Sequence, residues 1–448
     1  MSRLLVSNGL ILDPVTQTVK TSSVYIADGS IIAIDHEPDG FEAEHSIDAT
    51  GLIISPGLVD LCARLREPGL EFKADIHSEA VAAASAGITT LCCPPDTAPV
   101  IDEPAVVELI HHKATTARHT NVVTLGALTS GLEGQLLSEM STLHSAGCVG
   151  VSNSRKPVAN TLILRRAYSY AANYGITVFI EPDEHWLSMG GCAHDGPVAT
   201  RLGLQGIPVS AETVAISRAL ELILETGVKA HFGRLSSSHG VELIRRAKER
   251  GMEITADVSA HQLFLNEMDI NSFNSMCHVL PPLRSQRDME ALRQAVKDGV
   301  IDAICSDHQP HEPDAKQAPF ASTQPGISSL ETLLPLALRL VHEQVVPGYT
   351  AQSLISTQPA AILGIDAGVL AANRPADICI YDPEHDWQLD TSSMLSRGKN
   401  TPFAGWNFQG KSRYTIIGGE LIYTESVSYT HLRAHETSRA ISYAVFCV

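Results

Sequence analysis

Eight short apolar runs, each followed by a helical pattern, constrain this chain more than any other feature. They are Leu52-Ile53-Ile54, Thr89-Thr90-Leu91-Cys92-Cys93, Val122-Val123-Thr124-Leu125, Cys148-Val149-Gly150-Val151, Thr177-Val178-Phe179-Ile180, Val228-Lys229-Ala230-His231-Phe232, Ile254-Thr255-Ala256-Asp257-Val258 and Ile301-Asp302-Ala303-Ile304-Cys305. Their length and β-branched content read as strands. Between them, Ile216, Ala219, Leu220, Ile223 and Leu224 fall on one helical face with Gly227 as a stop, and Val241 to Lys248 forms a second helix ending at Gly251. Eight strand-then-helix units predict an α/β chain closed into a (β/α)8 barrel, whose chemistry would sit at the C-terminal ends of the strands.

The two ends of the chain read differently. Leu4-Leu5-Val6, Val24-Tyr25-Ile26 and Ile31 to Ile34 alternate with the turn pairs Asn8-Gly9 and Asp28-Gly29, the pattern of a small antiparallel sheet. Ala376 to Asp382 and Tyr414 to Gly419 repeat that pattern near the other end. We expect a small β-sandwich domain built from residues 1–51 and 366–427, flanking a barrel over 52–365. Residues 428–448, beginning Ser428-Tyr429-Thr430-His431-Leu432-Arg433, read as translated adapter sequence, a non-native tail to which no role is assigned.

A formal net charge of −18 argues against a nucleic-acid or anionic-membrane surface, and no apolar run approaches the roughly 20 residues of a membrane helix. Nine cysteines without a Cys-x-x-Cys pair read as reduced core thiols, so a cytoplasmic protein is expected. His111-His112 lies inside a helical pattern and reads as a helix face. His308 beside Asp307 could ligate a metal on chemistry alone, His261 reads as a packing or hydrogen-bonding residue, and Ser236-Ser237-Ser238, lacking a Gly-x-Ser-x-Gly elbow, reads as a helix N-cap.

Four blocks at the predicted strand ends carry a resemblance. They are Asp60-Leu61-Cys62-Ala63-Arg64-Leu65-Arg66-Glu67-Pro68-Gly69, Pro281-Pro282-Leu283-Arg284, Ser306-Asp307-His308-Gln309-Pro310-His311 and Asn400-Thr401-Pro402-Phe403-Ala404-Gly405-Trp406. In this order they resemble the dihydroorotase family of the amidohydrolase superfamily, whose first block is D-x-H-x-H-x-R-E-P-G. The resemblance implies a barrel enzyme opening and closing a cyclic amide, with zinc lowering the pKa of bound water to about 7. It also implies an eighth-strand aspartate that moves the proton, and an arginine and asparagine that hold the substrate carboxylate.

Carried over position by position, the resemblance is one-sided. The two signature histidines become Cys62 and Arg64, the aspartate of S-D-D-G becomes Asn153, and two further histidine positions become Glu181 and Arg234. Asp307 is retained at the catalytic position. Among substrate positions Arg66 and His311 are kept, while asparagines become Asp96, which would repel a carboxylate, and Leu280. Arginine has no lone pair for a cation, so no cofactor is expected; the alternative is one zinc held by Cys62, Glu181 and Asp307. Since carboxylates stripped of a metal are costly when buried alone, Arg64 and Arg234 are expected to pair with Glu181 and Asp307. The expected role is a non-catalytic, structural chain of pyrimidine biosynthesis, assembled with an aspartate carbamoyltransferase chain as a homo- or hetero-oligomer. The alternative is an active dihydroorotase, or related cyclic-amide hydrolase, with a rebuilt metal site.

Overall fold

The computed structural model describes residues 3–425; the predicted tail at 428–448 lies outside the described residues. Eight parallel strands form the barrel: Leu58–Asp60, Ile88–Cys93, Asn121–Ala127, Cys148–Ser152, Val178–Ile180, Ala230–Phe232, Ile254–Ser259 and Ala303–Cys305. Closure comes just past the last strand. His308 N donates to Cys62 O at 3.1 Å and Arg64 N to His308 O at 2.9 Å, joining the eighth strand's exit to the first's.

Seven of these strands overlap the runs read from sequence. The eighth expectation needs correcting: Leu52-Ile53-Ile54 belongs to Ile53–Pro56, a strand of the terminal sheet, and the barrel starts at Leu58 rather than Leu52. Both segments are apolar and both are buried, so composition cannot separate them; the break is Gly57, where an added Cβ would lie 2.3 Å from Thr89.

The terminal sheet is built from both chain ends, as predicted. Arg3–Asp13, Thr18–Ala27 and Ser30–Ile34 form an antiparallel meander, and Ile53–Pro56 joins Arg3–Asp13 on one side and Ile378–Gln388 on the other. Asn407–Ile417 and Glu420–Thr424 complete it. Asp28-Gly29 is a tight turn with φ of 52° and 81°. Asn8-Gly9, predicted as a turn, is instead a bulge inside the first strand, where the register shifts between Val6 and Gly9. There Asn8 takes φ 61°, and a Cβ on Gly9 would meet Ile54 at 2.4 Å.

The barrel helices follow local rules. Ser210–Thr226 ends at Gly227 with φ 68°, and Ser237 caps Ser238–Glu249 by accepting from Gly240 N. His111 and His112 lie in Pro104–Ala117, as expected. All eight described cysteines are buried and free. No described helix is long and apolar enough to cross a membrane.

Candidate functional site

The predicted site residues gather at the C-terminal mouth of the barrel. Four of the residues leaving strand ends, Arg66, Ser154, Arg234 and Asp307, have left-handed backbones with φ of 64°, 47°, 58° and 50°. Such conformations cost about 1–3 kcal/mol each in non-glycine residues and persist where surroundings impose them. For Arg234 the imposing groups are visible. Asp257 Oδ1 accepts the Arg234 backbone N–H at 2.6 Å, while its Oδ2 meets His231 Nε2 at 2.8 Å. His231 is held in turn by Thr255 Oγ1 at 2.8 Å from Nδ1.

At the centre, Arg234 Nη2 lies 2.7 Å from Glu181 Oε1, and Arg64 Nε donates to Asp96 Oδ2 at 2.8 Å. Asp307 Oδ1 stands between the guanidiniums, 3.5 Å from Arg64 Nη1 and 3.8 Å from Arg234 Nε. Arg64 Nη2 also approaches Glu181 at 3.6 Å. The four side chains expected to pair therefore do converge, and Asp96, expected at a substrate position, is engaged by Arg64. Arg64 and Arg234 are each 8% exposed.

Burial opposes the charge on both arginines, but the surrounding anions outweigh it and hold both guanidiniums firmly protonated. Asp96 is partly buried, and although desolvation raises its pKa, Arg64 outweighs that and keeps it below the ordinary value. Asp307 moves the other way: burial exceeds the pull of Arg234 and Arg64 and raises its pKa. The Cys62 thiol, 3.7 Å from Arg64 Nη1, is pushed well above its ordinary value by burial.

Outside this cluster, Arg66 Nε donates to Pro310 O at 3.0 Å, and burial, then Arg64, draws its pKa down to about 10. His311 Nδ1 accepts from Lys73 Nζ at 3.1 Å and its Nε2 lies 3.0 Å from Pro325 O. Burial, then Arg66 and Lys73, lowers the His311 pKa to about 3, so the ring is neutral at pH 7. Asn153, expected from the resemblance at a metal-bridging position, is committed to the protein: Oδ1 accepts from Thr129 at 2.6 Å and Nδ2 donates to Lys156 O at 3.0 Å.

His308 is no free ligand. Its Nδ1 accepts from Ser329 N at 3.0 Å, which leaves Nε2–H to donate to Glu79 Oε2 at 2.7 Å. His261 is buried with neither ring nitrogen hydrogen-bonded, a packing residue whose pKa burial lowers to about 3. The sequence reading passed over Asp60, Glu79, His231 and Asp257. Asp60, the first residue of the signature block, accepts from Ser306 N at 2.8 Å and ties the first strand to the eighth. Ionisable residues inside strand or helix patterns are the available signal.

A metal ion does not fit this residue set. Two protonated guanidiniums face the centre, the nearby thiol is held protonated, and Glu181 Oε1 and Asp307 Oδ1 are engaged by arginine. Among the described residues no group of three or more His, Cys, Asp or Glu is placed to hold a metal ion. What the arrangement does chemically is pair charge: Arg64 and Arg234 face Asp96, Glu181 and Asp307.

The eight-stranded parallel barrel, carrying a sheet assembled from both chain ends, is the amidohydrolase architecture. An L-hydantoinase (dihydropyrimidinase) from Arthrobacter aurescens shares this fold with a TM-score of 0.85, at 24% identity, over 95% of this chain and 97% of that one. The profile described as Dihydro-orotase-like matches residues 51–239, and that of the Amidohydrolase family matches residues 199–422. A protein of Pseudomonas aeruginosa named "Dihydroorotase-like protein" is 46% identical over 411 residues, covering 92% of this chain and 97% of the relative. A "Dihydroorotase" of Syntrophotalea carbinolica is 39% identical over 421 residues, covering 94% and 99%. This chain belongs to the dihydroorotase-like family.

Proposed function

We propose that the chain is a non-catalytic member of this family, serving pyrimidine biosynthesis as a structural subunit for an aspartate carbamoyltransferase chain. The observation that carries this reading is the pairing of Arg64 with Asp96 and Arg234 with Glu181 around Asp307. Hydrolysis of a cyclic amide near neutral pH calls for a polarised carbonyl and an activated water, which a Lewis acid supplies. Guanidiniums already committed to carboxylates offer neither lone pairs for a cation nor a base. The same pairing gives each of the three carboxylates a guanidinium neighbour without an ion, so the fold can persist as a scaffold.

A second reading, an active cyclic-amide hydrolase with a rebuilt site, is favoured by one fact: relatives at 39% identity bear the name "Dihydroorotase". The experiment measures metal content and carbamoyl-aspartate cyclisation of the purified protein with and without added zinc, then co-expresses it with a carbamoyltransferase chain from the same genome. The expected result is no zinc-dependent turnover and co-elution of the two chains. Stoichiometric zinc with zinc-dependent turnover overturns the non-catalytic reading, and a monomer that ignores the transferase removes the partner.

A further inference from the structure

A cavity of about 200 Å³ lies where the barrel meets the terminal sheet and shares no lining residue with the charge cluster. Leu334 and Pro335 of the helix Leu333–His342 form one wall, Leu389 and Met394 another, and Trp387 of the strand Ile378–Gln388 a third. Ligand cavities favour such seams, with mostly apolar walls and a few placed polar groups. The charged groups here are Glu331, Lys411 and Glu425, all half-buried.

These three charges do not cancel. Lys411 Nζ lies 2.9 Å from Glu425 Oε1 and 5.3 Å from the centre of the Trp387 ring, so its charge is already answered. Glu331 differs. Its Oε1 accepts from Leu395 N at 2.8 Å and its Oε2 from Ser396 N at 3.3 Å, while no described cation forms an ion pair with it. Lys399, whose charge also reaches Glu331, is spent on the carbonyls of Met394 and Ser396. Each carboxylate oxygen can accept a further bond. The Glu331 charge acts on Lys411 and on the Tyr423 hydroxyl, two groups that line the cavity, which places the carboxyl on the cavity side. Burial raises its pKa to about 7, the response of a carboxyl that lacks a cation.

We propose that this cavity binds a small primary ammonium carrying one aromatic ring, with its N–H donors on Glu331 and its ring against Trp387. A cavity of roughly 150 Å³ holds benzene, so one of about 200 Å³ suits a ring with a short aminoalkyl arm. An anion of the same size would meet Glu331 uncompensated, and a neutral ring would leave that carboxyl without a counter-charge. The inference does not depend on whether the barrel centre is catalytic or on any partner chain.

The test titrates the full-length protein calorimetrically with benzylamine, benzyl alcohol and benzoate. Benzylamine should bind saturably, benzyl alcohol at least about tenfold more weakly and benzoate not at all, because hydrogen bonds between charged groups are the stronger kind. Pairing with an ammonium lowers the Glu331 pKa, so binding should release about half a proton at pH 7 and little at pH 8. The release is read from the dependence of the heat on the ionisation enthalpy of the buffer. Glu331→Gln should weaken benzylamine about tenfold or more and abolish the release, whereas Trp387→Leu should weaken binding and keep it. Absence of saturable benzylamine binding, equal affinity for benzyl alcohol, or a heat at pH 7 that ignores the buffer overturns the proposal. Should Glu331→Gln fail to fold, those three measurements on the unsubstituted protein decide.

Discussion

Arg234 Nη2 and Glu181 Oε1, 2.7 Å apart, belong to residues following neighbouring parallel strands, Ala230–Phe232 and Val178–Ile180. Each stands where the dihydroorotase pattern has a histidine. On the proposed reading, an ion pair stands where the family resemblance implies two ligands of one cation.

Removing one half should be expensive. Arg234→Met leaves Glu181 and Asp307 buried with fewer cations, and breaking a buried pair typically costs about 3–5 kcal/mol. Urea unfolding should show a loss of that order, whereas Arg234→Met combined with Glu181→Met should lose less than the two single losses added together. Strict additivity would mean the two groups do not interact energetically.

Restoring the ligand set should restore the ion. Cys62→His, Arg64→His, Asn153→Asp, Glu181→His and Arg234→His, with Asp96→Asn because Asp96 loses Arg64, should yield a protein that retains about one or two zinc ions through dialysis. Mass spectrometry of metal content should find zinc in that variant and not in the parent; equal zinc in both would mean that Arg64 and Arg234 do not exclude the cation.

Acid should attack the Glu79–His308 pair. Burial would raise the Glu79 pKa, but its bonds to His308, Ser396 and Arg397 overcome that and hold it below the ordinary 4.5. A carboxylate with a depressed folded pKa contributes stability that is complete above 4.5 and is lost as pH falls through the folded value. The melting temperature of the wild type should therefore drop more steeply below pH 4.5 than that of Glu79→Gln, which should be the less stable of the two at pH 7.

Lys316 predicts a slope of the same sign at higher pH. Burial brings its pKa down from 10.5 to about 7, with Nζ donating to His278 O at 3.3 Å. The folded state disfavours the proton that the unfolded chain binds up to 10.5, so this lysine's penalty is full below pH 7 and fades as pH rises to 10.5. Lys316→Met should raise the melting temperature at pH 6–7, with the gain shrinking toward pH 10. A gain independent of pH would point to packing alone.

The sequence made the barrel legible because its strands are apolar runs separated by helices with recognisable stops, as Gly227 illustrates. It could not assign Ile53–Pro56, because a buried strand of a terminal sheet and a buried barrel strand share one composition. The convergence of Arg64, Arg234, Glu181 and Asp307 followed from charge balance at positions the family pattern brings together. What stayed hidden depended on distance between strands: Asp257 fixing the backbone of Arg234, Asp60 clasping Ser306, and Asp96 meeting Arg64. The left-handed conformations of Arg66, Ser154 and Arg234 were equally unreadable, since neither arginine nor serine favours such a backbone, whereas Asp307 is of a type that does.

The sheet shared by both chain ends has a consequence for birth on the ribosome. Ile53–Pro56 emerges more than three hundred residues before its neighbour Ile378–Gln388, a wait of roughly 15 to 65 seconds at 5–20 residues per second. Throughout that interval the nascent amino-terminal hairpins hold an open hydrogen-bonding edge, a vulnerability that ends only when the carboxyl-terminal strands arrive to cover it.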